Sequence, residues 1–339
     1  GSPVNDRSNR FIYRETITAF YLSSRKEWKR VSAQAGLRIE NTRTDGNQLG
    51  NTNVAGSRFK KKYTNAFPSF SATYKIDTSN INFLDLSYAR RIRRPNYQSL
   101  NPFVYFVDQY SLTSGNPDLN PQFVHQVEMK YRYKKYFGIG LQYSYHTDVI
   151  FQVTEAADKV FINSPRNVAK GRIVGINANA SIPIAKWWNL NINTMLAHLH
   201  LQGEAYNQVI DQETFSLRAN INQQFTLGNG FSAEMFALYN GRDINGQRYI
   251  DPRFRINAGI LKKIMKGKAT IRLSVDDIFY GWRQQEESRS LQNAIAYNLY
   301  IPDSRRGAIG FTWSFGKEGS KKKRTLNENS AQEEKGRVD

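Results

Sequence analysis

Apolar and polar residues alternate along most of the chain. The pattern holds for eight to ten residues at a time in the segments 31–40, 137–146, 174–182 and 215–222. Successive side chains of a β-strand point to opposite faces, so this alternation suits a strand with one face in an apolar medium and the other in water. A helical period does not persist to a comparable extent anywhere in the sequence. The chain is therefore predicted to be all-β.

The connections between the predicted strands are alternately short and long. Short turns are predicted at Arg25–Trp28, Asp77–Asn80, Lys134–Tyr136, Ala185–Trp187, Gly228–Gly230 and Lys266–Lys268. Long connections are predicted at 42–62, 93–121, 147–167, 202–212, 241–252 and 281–305. Transmembrane barrels have short periplasmic turns at one end and long extracellular loops at the other, whereas β-sandwiches show no such asymmetry. The connections thus predict an antiparallel transmembrane β-barrel.

Composition is compatible with a barrel and limits the partners. No apolar stretch reaches the roughly 18 residues of a transmembrane helix, and the absence of cysteine excludes disulfides and a cysteine nucleophile. The net charge of +19 favours an anionic partner, such as lipopolysaccharide or an anionic solute. Nucleic acid is not expected, because the basic residues fall mostly in predicted loops, turns and lumen-facing positions rather than on one face with aromatic platforms.

The predicted strands number thirteen. They lie at 11–24, 28–42, 63–76, 81–93, 122–134, 137–150, 168–184, 188–202, 213–226, 231–241, 253–264, 269–281 and 306–315. Bacterial single-chain barrels have an even number of strands. Here the last strand ends beside the short turns, but the first begins at the long-loop end. We therefore expect residues 1–316 to be the C-terminal part of a larger barrel, with an odd number of strands upstream, and residues 317–339 to form a charged, disordered periplasmic tail.

A cluster of arginines stands where one predicted strand leaves the barrel wall. Arg90, Arg91, Arg93 and Arg94 follow the apolar residues Leu84 and Leu86. The guanidinium group matches phosphate and carboxylate geometry, so two interpretations remain open. The cluster can bind an anionic solute, or it can pair with lipopolysaccharide phosphates at the outer rim.

An aromatic loop follows the arginines. Its aromatic residues are Tyr97, Phe103, Tyr105, Phe106 and Tyr110. These rings can stack on a ligand, or they can pack the loop onto itself, and the sequence favours neither interpretation.

Other candidate sites are weaker. His198 and His200 share one strand face, but no third ligand has a matching spacing, so no metal site is predicted. Asp276 and Asp277 point to opposite faces of a strand and cannot form a carboxylate dyad. The sequence GNG at Gly228–Gly230 is interpreted as a hairpin turn because no helix follows it.

Five segments resemble one known family. These are LSYARRIRRPNYQSLNPF at 86–103, SGNPDLNP at 114–121, AGLRIENTRT at 35–44, SVDDIF at 274–279 and GFTWSFGK at 310–317. They resemble the barrels of TonB-dependent receptors, and most closely the outer-membrane β-barrel group of the Bacteroidota. The resemblance extends over nearly the whole chain and rests on the order and spacing of the segments.

The resemblance implies an integral protein of the Gram-negative outer membrane. The complete barrel would have about 22 strands around an N-terminal plug, and these thirteen would be its last. The plug would contact the TonB complex, and the cargo would be a scarce solute such as a siderophore, cofactor, glycan or peptide. The resemblance implies neither catalytic residues nor a bound cofactor.

Other functions of a barrel remain open. A barrel protease or lipase needs a base beside a nucleophile or an activated water. The four histidines and the absence of a recognisable nucleophile motif do not favour an enzyme. A passive or adhesive surface barrel is the other alternative.

Overall fold

The computed structural model describes residues 10–50, 55–157, 160–205, 208–291, 294–315 and 337. Within these residues the chain forms nineteen β-strands. In chain order they are β1 (Arg10–Glu27), β2 (Val31–Leu49), β3 (Ser57–Lys75), β4 (Asn82–Arg93), β5 (Val104–Asp108), β6 (Ser111–Ser114), β7 (Gln122–Tyr133), β8 (Phe137–Ala157), β9 (Val160–Ala185), β10 (Trp188–Ala205), β11 (Gln208–Gly228), β12 (Phe231–Asn240), β13 (Asp243–Asn245), β14 (Arg248–Ile250), β15 (Arg253–Ile264), β16 (Ala269–Asp276), β17 (Gln284–Leu291), β18 (Ala294–Tyr300) and β19 (Arg306–Trp313). The same residues include two 3-10 turns, at Gln98–Leu100 and Met265–Gly267. The described part of the chain contains no helix that is long and apolar enough to span a membrane.

Thirteen strands form one antiparallel wall. Neighbours are paired in the order β1-β2-β3-β4-β7-β8-β9-β10-β11-β12-β15-β16-β19. The predicted all-β class, the antiparallel pairing and the count of thirteen wall strands are confirmed. Among the described residues, β1 pairs with β2 alone and β19 with β16 alone, so each has one edge without a paired strand.

The two faces of the wall differ in polarity. One row crosses six neighbouring strands in register and consists of Leu86, Met129, Leu141, Ile176, Leu196 and Leu217. Each of these side chains is 42–54% exposed. The adjacent row on the opposite face consists of Ser87, Glu128, Gln142, Gly175, Ala197 and Ser216. The two rows differ by one position on each strand, and neighbouring residues of a strand point to opposite faces. The wall therefore has an apolar outer face and a largely polar face toward the lumen.

The connections are segregated by length, as predicted. Six short turns join β1–β2, β3–β4, β7–β8, β9–β10, β11–β12 and β15–β16 at one end of the wall. Four of them use a left-handed residue, namely Asn80, Lys134, Asn229 and Lys266, with φ between 46° and 56°. The remaining connections lie at the opposite end, called here the long-loop end.

Three of the predicted long loops are mainly strand. At 42–62, 147–167 and 202–212 the wall strands continue as hairpins, paired as far as Gln48 with Ser57, Ala157 with Val160, and Ala205 with Gln208. β9 reaches 26 residues, whereas a transmembrane strand needs only about 9–11. Beyond the membrane both faces can be polar, so these extensions lack the alternation by which the sequence reveals a strand.

The other long connections carry additional strands. β5 and β6 form a hairpin within 93–121, and β6 also pairs in parallel with β9. β13, β14, β17 and β18 form a separate four-stranded sheet from the connections 241–252 and 281–305. An apolar cluster that includes Val153, Leu201 and Ile210 packs against Ile244 of β13. This contact attaches the small sheet to the wall.

Candidate functional site

Two adjoining cavities lie at the long-loop end. The first has a volume of about 550 Å³ and is lined by polar residues that include Thr113, Thr154 and Asn163. The second has a volume of about 390 Å³ and is lined by residues that include Arg93 and Arg94. Gln152 and Arg248 line both cavities. The elements that form this site are therefore the end of β4, the extensions of β8 and β9, and the small sheet.

Three of the four predicted arginines lie at or beside the second cavity. Arg93 and Arg94 line it, and Arg91 occupies the same strand face as Arg93, two residues earlier. Arg91 and Arg93 are exposed, and neither forms an ion pair within the described residues. Arg248, which sequence reasoning did not identify, adds a third cation to the cavity and pairs with Glu286 at 3.0 Å. Such a lining suits anionic and hydrogen-bonding groups.

The Arg90 side chain, on β4, contacts both neighbouring strands of the wall, β3 and β7. Its Nη1 donates to the carbonyl of Ala66 at 2.8 Å, and its guanidinium lies 4.6 Å from the ring of Phe123 and 5.8 Å from that of Phe67. Pairing between β3 and β4 ends below this point, at Ser69 and Ala89. Arg90 therefore connects β4 to β3 beyond the last residue pair of these two strands.

Arg94 is held by two carboxylates of the lumen. Its Nη2 donates to Glu40, its Nε lies 3.9 Å from Glu15, and its side chain is 8% exposed. Glu15 and Glu40 are equally withdrawn from solvent, at 8% and 6% exposure. Register places Glu40 opposite Ala19 and Glu15 opposite Thr44, on the inner face of β1 and β2. Sequence reasoning missed both carboxylates. The signal in the sequence was an acidic residue at an inward-facing position of β1 (Glu15) and of β2 (Glu40).

Tyr97 belongs to the same cluster. Its ring lies 5.0 Å from that of Tyr13, and the phenol of Tyr13 donates to Glu15 at 3.5 Å. Tyr13 thus connects the ring of Tyr97 to the carboxylate of Glu15.

Arg337 also reaches this cluster. Its Nη1 donates to Glu15 at 2.6 Å, and its guanidinium lies 4.5 Å from the ring of Tyr97. Arg337 is the one described residue of the predicted tail, and it lies at the long-loop end rather than at the end of the short turns. The other positions of 317–339 lie outside the described residues, and for them the disordered periplasmic tail stays a prediction.

The predicted aromatic loop residues divide into two groups. Phe103 is buried and packs edge-on against Tyr105, with ring centroids 4.9 Å apart. Asn101 donates to the hydroxyl of Tyr105 at 3.0 Å. Phe106 and Tyr110, in contrast, are 66% and 57% exposed. The base of the loop thus packs onto itself, whereas its tip presents aromatic surface to solvent.

The family of the chain is shown by its sequence. Residues 1–313 match the model of the outer membrane protein beta-barrel family. The chain belongs to this family. It is therefore an integral outer-membrane protein, and the short turns lie in the periplasm while the long-loop end is extracellular. No curated protein matches the chain.

Solved structures of two receptors and one transporter have the same fold. The siderophore receptor PiuA from Acinetobacter baumannii is 12% identical with a TM-score of 0.60. The ferric-catecholate import receptor Fiu from E. coli K12 is 13% identical with a TM-score of 0.57, and the copper transporter OprC is 13% identical with a TM-score of 0.61. Each match covers 89% of this chain but only 43%, 45% and 48% of PiuA, Fiu and OprC. The chain spans less than half the length of these proteins.

The remaining candidate residues of this outer-membrane barrel have local partners. His198 and His200 share the outer face with Leu196 and pair with Glu213 at 3.3 Å and Asp211 at 2.8 Å. Nowhere among the described residues do three His, Asp or Glu side chains gather as metal ligands.

The adjacent aspartates have separate roles. Asp276 pairs with Arg306 at 3.7 Å. Asp277 is fully buried and accepts hydrogen bonds from the backbone N–H groups of Gly281 and Trp282 and from the hydroxyl of Ser304. Asp277 thus fixes the chain where it leaves β16.

Proposed function

We propose that this chain is the C-terminal part of the barrel of a TonB-dependent receptor of the Bacteroidota branch, which imports a scarce solute. The observation that carries the proposal is the second cavity, lined by Arg93, Arg94 and Arg248 and called here the basic cavity. It lies at the extracellular end of a lipid-facing wall with a polar lumen. In the complete receptor, about nine further strands would bring the total to about 22. A plug upstream of them would contact the TonB complex.

The lining of the cavity favours solutes with deprotonated oxygen atoms. Arg93 and Arg248 line it and Arg91 lies beside it, and guanidinium groups bind such oxygens through paired, charge-assisted hydrogen bonds. A cavity lined by one sign of charge also concentrates ligands of the opposite sign. Ferric catecholates are net anions, and a ferric-catecholate receptor is among the solved structures of the same fold. A ferric catecholate is therefore the first solute to test.

Lipopolysaccharide has a separate candidate surface on the outer face. Arg14, Arg43, Lys60 and Lys62 are exposed there, at the extracellular ends of β1, β2 and β3. Register places Arg14 opposite Asp45, and Arg43 opposite both Thr16 and Lys62. These residues point away from the lumen, so we assign lipopolysaccharide phosphates to them and leave Arg93 to the solute.

A receptor accounts for the lumen better than a barrel protease or lipase does. Ser144 and His146 lie on the inner face with Oγ and Nε2 3.2 Å apart. A catalytic histidine also needs a group that orients it, and within the described residues no carboxylate bonds to His146. We therefore propose no enzymatic activity.

Uptake by whole cells tests the proposal. Radiolabelled ferric enterobactin would be supplied to cells that carry the full-length protein, to cells that lack it, and to cells that lack TonB. We expect uptake in the first cells and its loss in the other two. A passive barrel would retain uptake without TonB, and an adhesive barrel or an enzyme would show no dependence on the protein.

A double substitution tests the cavity. Arg93→Gln with Arg248→Gln removes two charge-assisted contacts of about 1.5–3 kcal/mol each, so binding of the ferric complex to whole cells should weaken at least about tenfold. Arg58→Gln is the matched control, because Arg58 pairs with Asp45 on the outer face. Equal binding of the ferric complex by the double variant and the control would mean that the basic cavity does not bind this solute.

A further inference from the structure

The larger of the two cavities at the long-loop end differs in charge from the basic cavity beside it. Among the described residues that line it, only Arg248 and Glu286 are charged, and they pair at 3.0 Å. The basic cavity is lined by three arginines and by none of the acidic residues that the structure describes. The larger cavity, called here the polar cavity, therefore has a balanced charge, whereas the basic cavity has an excess of positive charge.

One wall of the polar cavity is a face of the small sheet. Gln284 and Glu286 of β17 lie opposite Tyr300 and Asn298 of β18, and all four residues line the cavity. Gln285 points to the other face of the sheet, because neighbouring residues of a strand alternate. The remaining walls are formed mainly by β5, β6 and the extensions of β8 and β9. The polar cavity thus lies between the small sheet and strands that belong to the wall.

Polar side chains of the lining have unused hydrogen-bonding groups. Gln152 and Asn298 are exposed, and neither side chain forms a hydrogen bond within the described residues. The same holds for the hydroxyl of Tyr300, whereas Thr154 donates to Asn163 at 2.6 Å. An amide side chain both donates and accepts, as a hydroxyl group does. A ligand with neutral hydroxyl groups can therefore satisfy these side chains without bringing charge into the cavity.

Aromatic surface lines the same cavity. Phe161 is 42% exposed and Tyr300 is 65% exposed. The ring of a hexose has an apolar face of C–H groups and a rim of hydroxyl groups, so it can pack on an aromatic ring and bond to amides at the same time. Small-molecule sites combine apolar and aromatic surface with a few polar groups in volumes of about 300–1,000 Å³. At about 550 Å³, the polar cavity has the size and the lining for a sugar.

The polar cavity and the basic cavity adjoin, since Gln152 and Arg248 line both. We propose that the polar cavity binds a neutral, hydroxyl-rich group of the imported solute, such as a hexose attached to a ferric catecholate. The deprotonated oxygens of the solute would lie beside Arg93, and its hexose would lie beside Asn298 and Tyr300. Because the ferric complex would occupy the basic cavity, this assignment rests on the proposed function.

Binding of two ferric complexes to whole cells tests the proposal. The probes are radiolabelled ferric enterobactin and the same complex with glucosyl groups on two of its catechol rings. Both are titrated onto cells that carry the full-length protein, and cells that lack it give the background. The glucosylated complex should bind at least about tenfold more tightly, because its hydroxyl groups form hydrogen bonds that the plain complex does not form.

A double substitution locates the hexose within the cavity. Asn298 and Tyr300 line the polar cavity but not the basic cavity. Asn298→Leu with Tyr300→Phe should therefore weaken binding of the glucosylated complex at least about tenfold, to the level of the plain complex. Binding of the plain complex should stay within about twofold of its original value, which also verifies that the variant folds.

The matched control lies on the opposite face of the same hairpin. Gln285 and Tyr297 are exposed there, so Gln285→Leu with Tyr297→Phe should change the binding of neither complex. If the unaltered protein binds the glucosylated complex no more tightly than the plain complex, or if the double variant loses no more affinity than the control, this proposal is overturned while the proposed import of a ferric catecholate stands. Binding of neither complex would overturn both.

Discussion

Arg94 and Glu40 form an ion pair that is almost completely withdrawn from solvent. Their side chains are 8% and 6% exposed, although the two residues are 54 positions apart in the chain. Thr42, which is fully buried, accepts from the same guanidinium at 3.4 Å. This pair ties the segment that leaves β4 to the inner face of β2. It thereby fixes one side of the basic cavity, which Arg94 lines.

Removal of Arg94 should destabilise the barrel strongly. Arg94→Met leaves Glu15 and Glu40 buried with less compensation, and breaking a buried pair in this way costs about 3–5 kcal/mol. The free energy of unfolding of the full-length protein, measured by urea titration in detergent, should fall by that amount. Arg58→Met is the control, since Arg58 is 58% exposed and pairs with Asp45 at the surface, where such pairs contribute about 0–1 kcal/mol. Equal losses for the two variants would contradict the burial argument.

The fold was predictable because its signals are local. Alternation within each strand reports the two environments of its faces, and turn residues such as Asn80 and Asn229 mark the short connections. Thirteen wall strands and six short turns follow from these signals alone. The strand extensions at 147–167 and the small sheet were not predicted, because outside the membrane no apolar medium imposes a period of two.

The candidate site was only partly predictable, because its contacts are distant in sequence. Arg93 and Arg94 are neighbours in the chain, yet one is exposed and the other is buried. The difference arises from Glu40 and Glu15, which lie 54 and 79 positions earlier. Local sequence does not encode which arginine meets a carboxylate; the register of β1, β2 and β4 does.

The assignment of the two faces of the wall can be tested by placing an arginine on each face of one strand, β11. Leu217 belongs to the outward apolar row, whereas Asn220 faces the lumen and accepts from Asn193 at 3.0 Å. An arginine at the lipid-facing midplane costs about 2–4 kcal/mol, whereas lumen positions tolerate charge. Leu217→Arg should therefore lower the yield of folded barrel in outer-membrane fractions far more than Asn220→Arg does. Similar yields for the two variants would mean that the faces are assigned incorrectly.

The periplasmic turn between β3 and β4 should depend on pH. The Asp77 carboxylate accepts the backbone N–H of Ile81 at 3.0 Å and that of Asn82 at 2.7 Å. These hydrogen bonds, that from Ile81 foremost, lower the pKa of Asp77 from its ordinary value of 3.8. A lowered pKa in the folded state means that the stabilisation is complete above 3.8 and is lost as pH falls below it through the folded-state pKa.

Comparison with Asp77→Asn isolates this effect. The unaltered protein should be the more stable of the two near neutral pH, and the difference should shrink as the pH is lowered below 3.8. Urea midpoints measured across that range provide the test. A difference that stays constant with pH would show that ionisation of Asp77 does not stabilise the turn.

The direction of the barrel in the membrane can be tested with single cysteines, because this chain contains none. Gln109 lies at the exposed tip of the β5–β6 hairpin, and Lys135 lies in the short turn between β7 and β8. Both positions are exposed, so they differ mainly in the side of the membrane on which they lie.

A membrane-impermeant maleimide should label Gln109→Cys on intact cells that carry the full-length protein, and it should label Lys135→Cys only after the outer membrane is opened. Both variants should react equally in detergent, which controls for the reactivity of the thiols. Labelling of Lys135→Cys on unbroken cells would invert the topology and place the basic cavity on the periplasmic side.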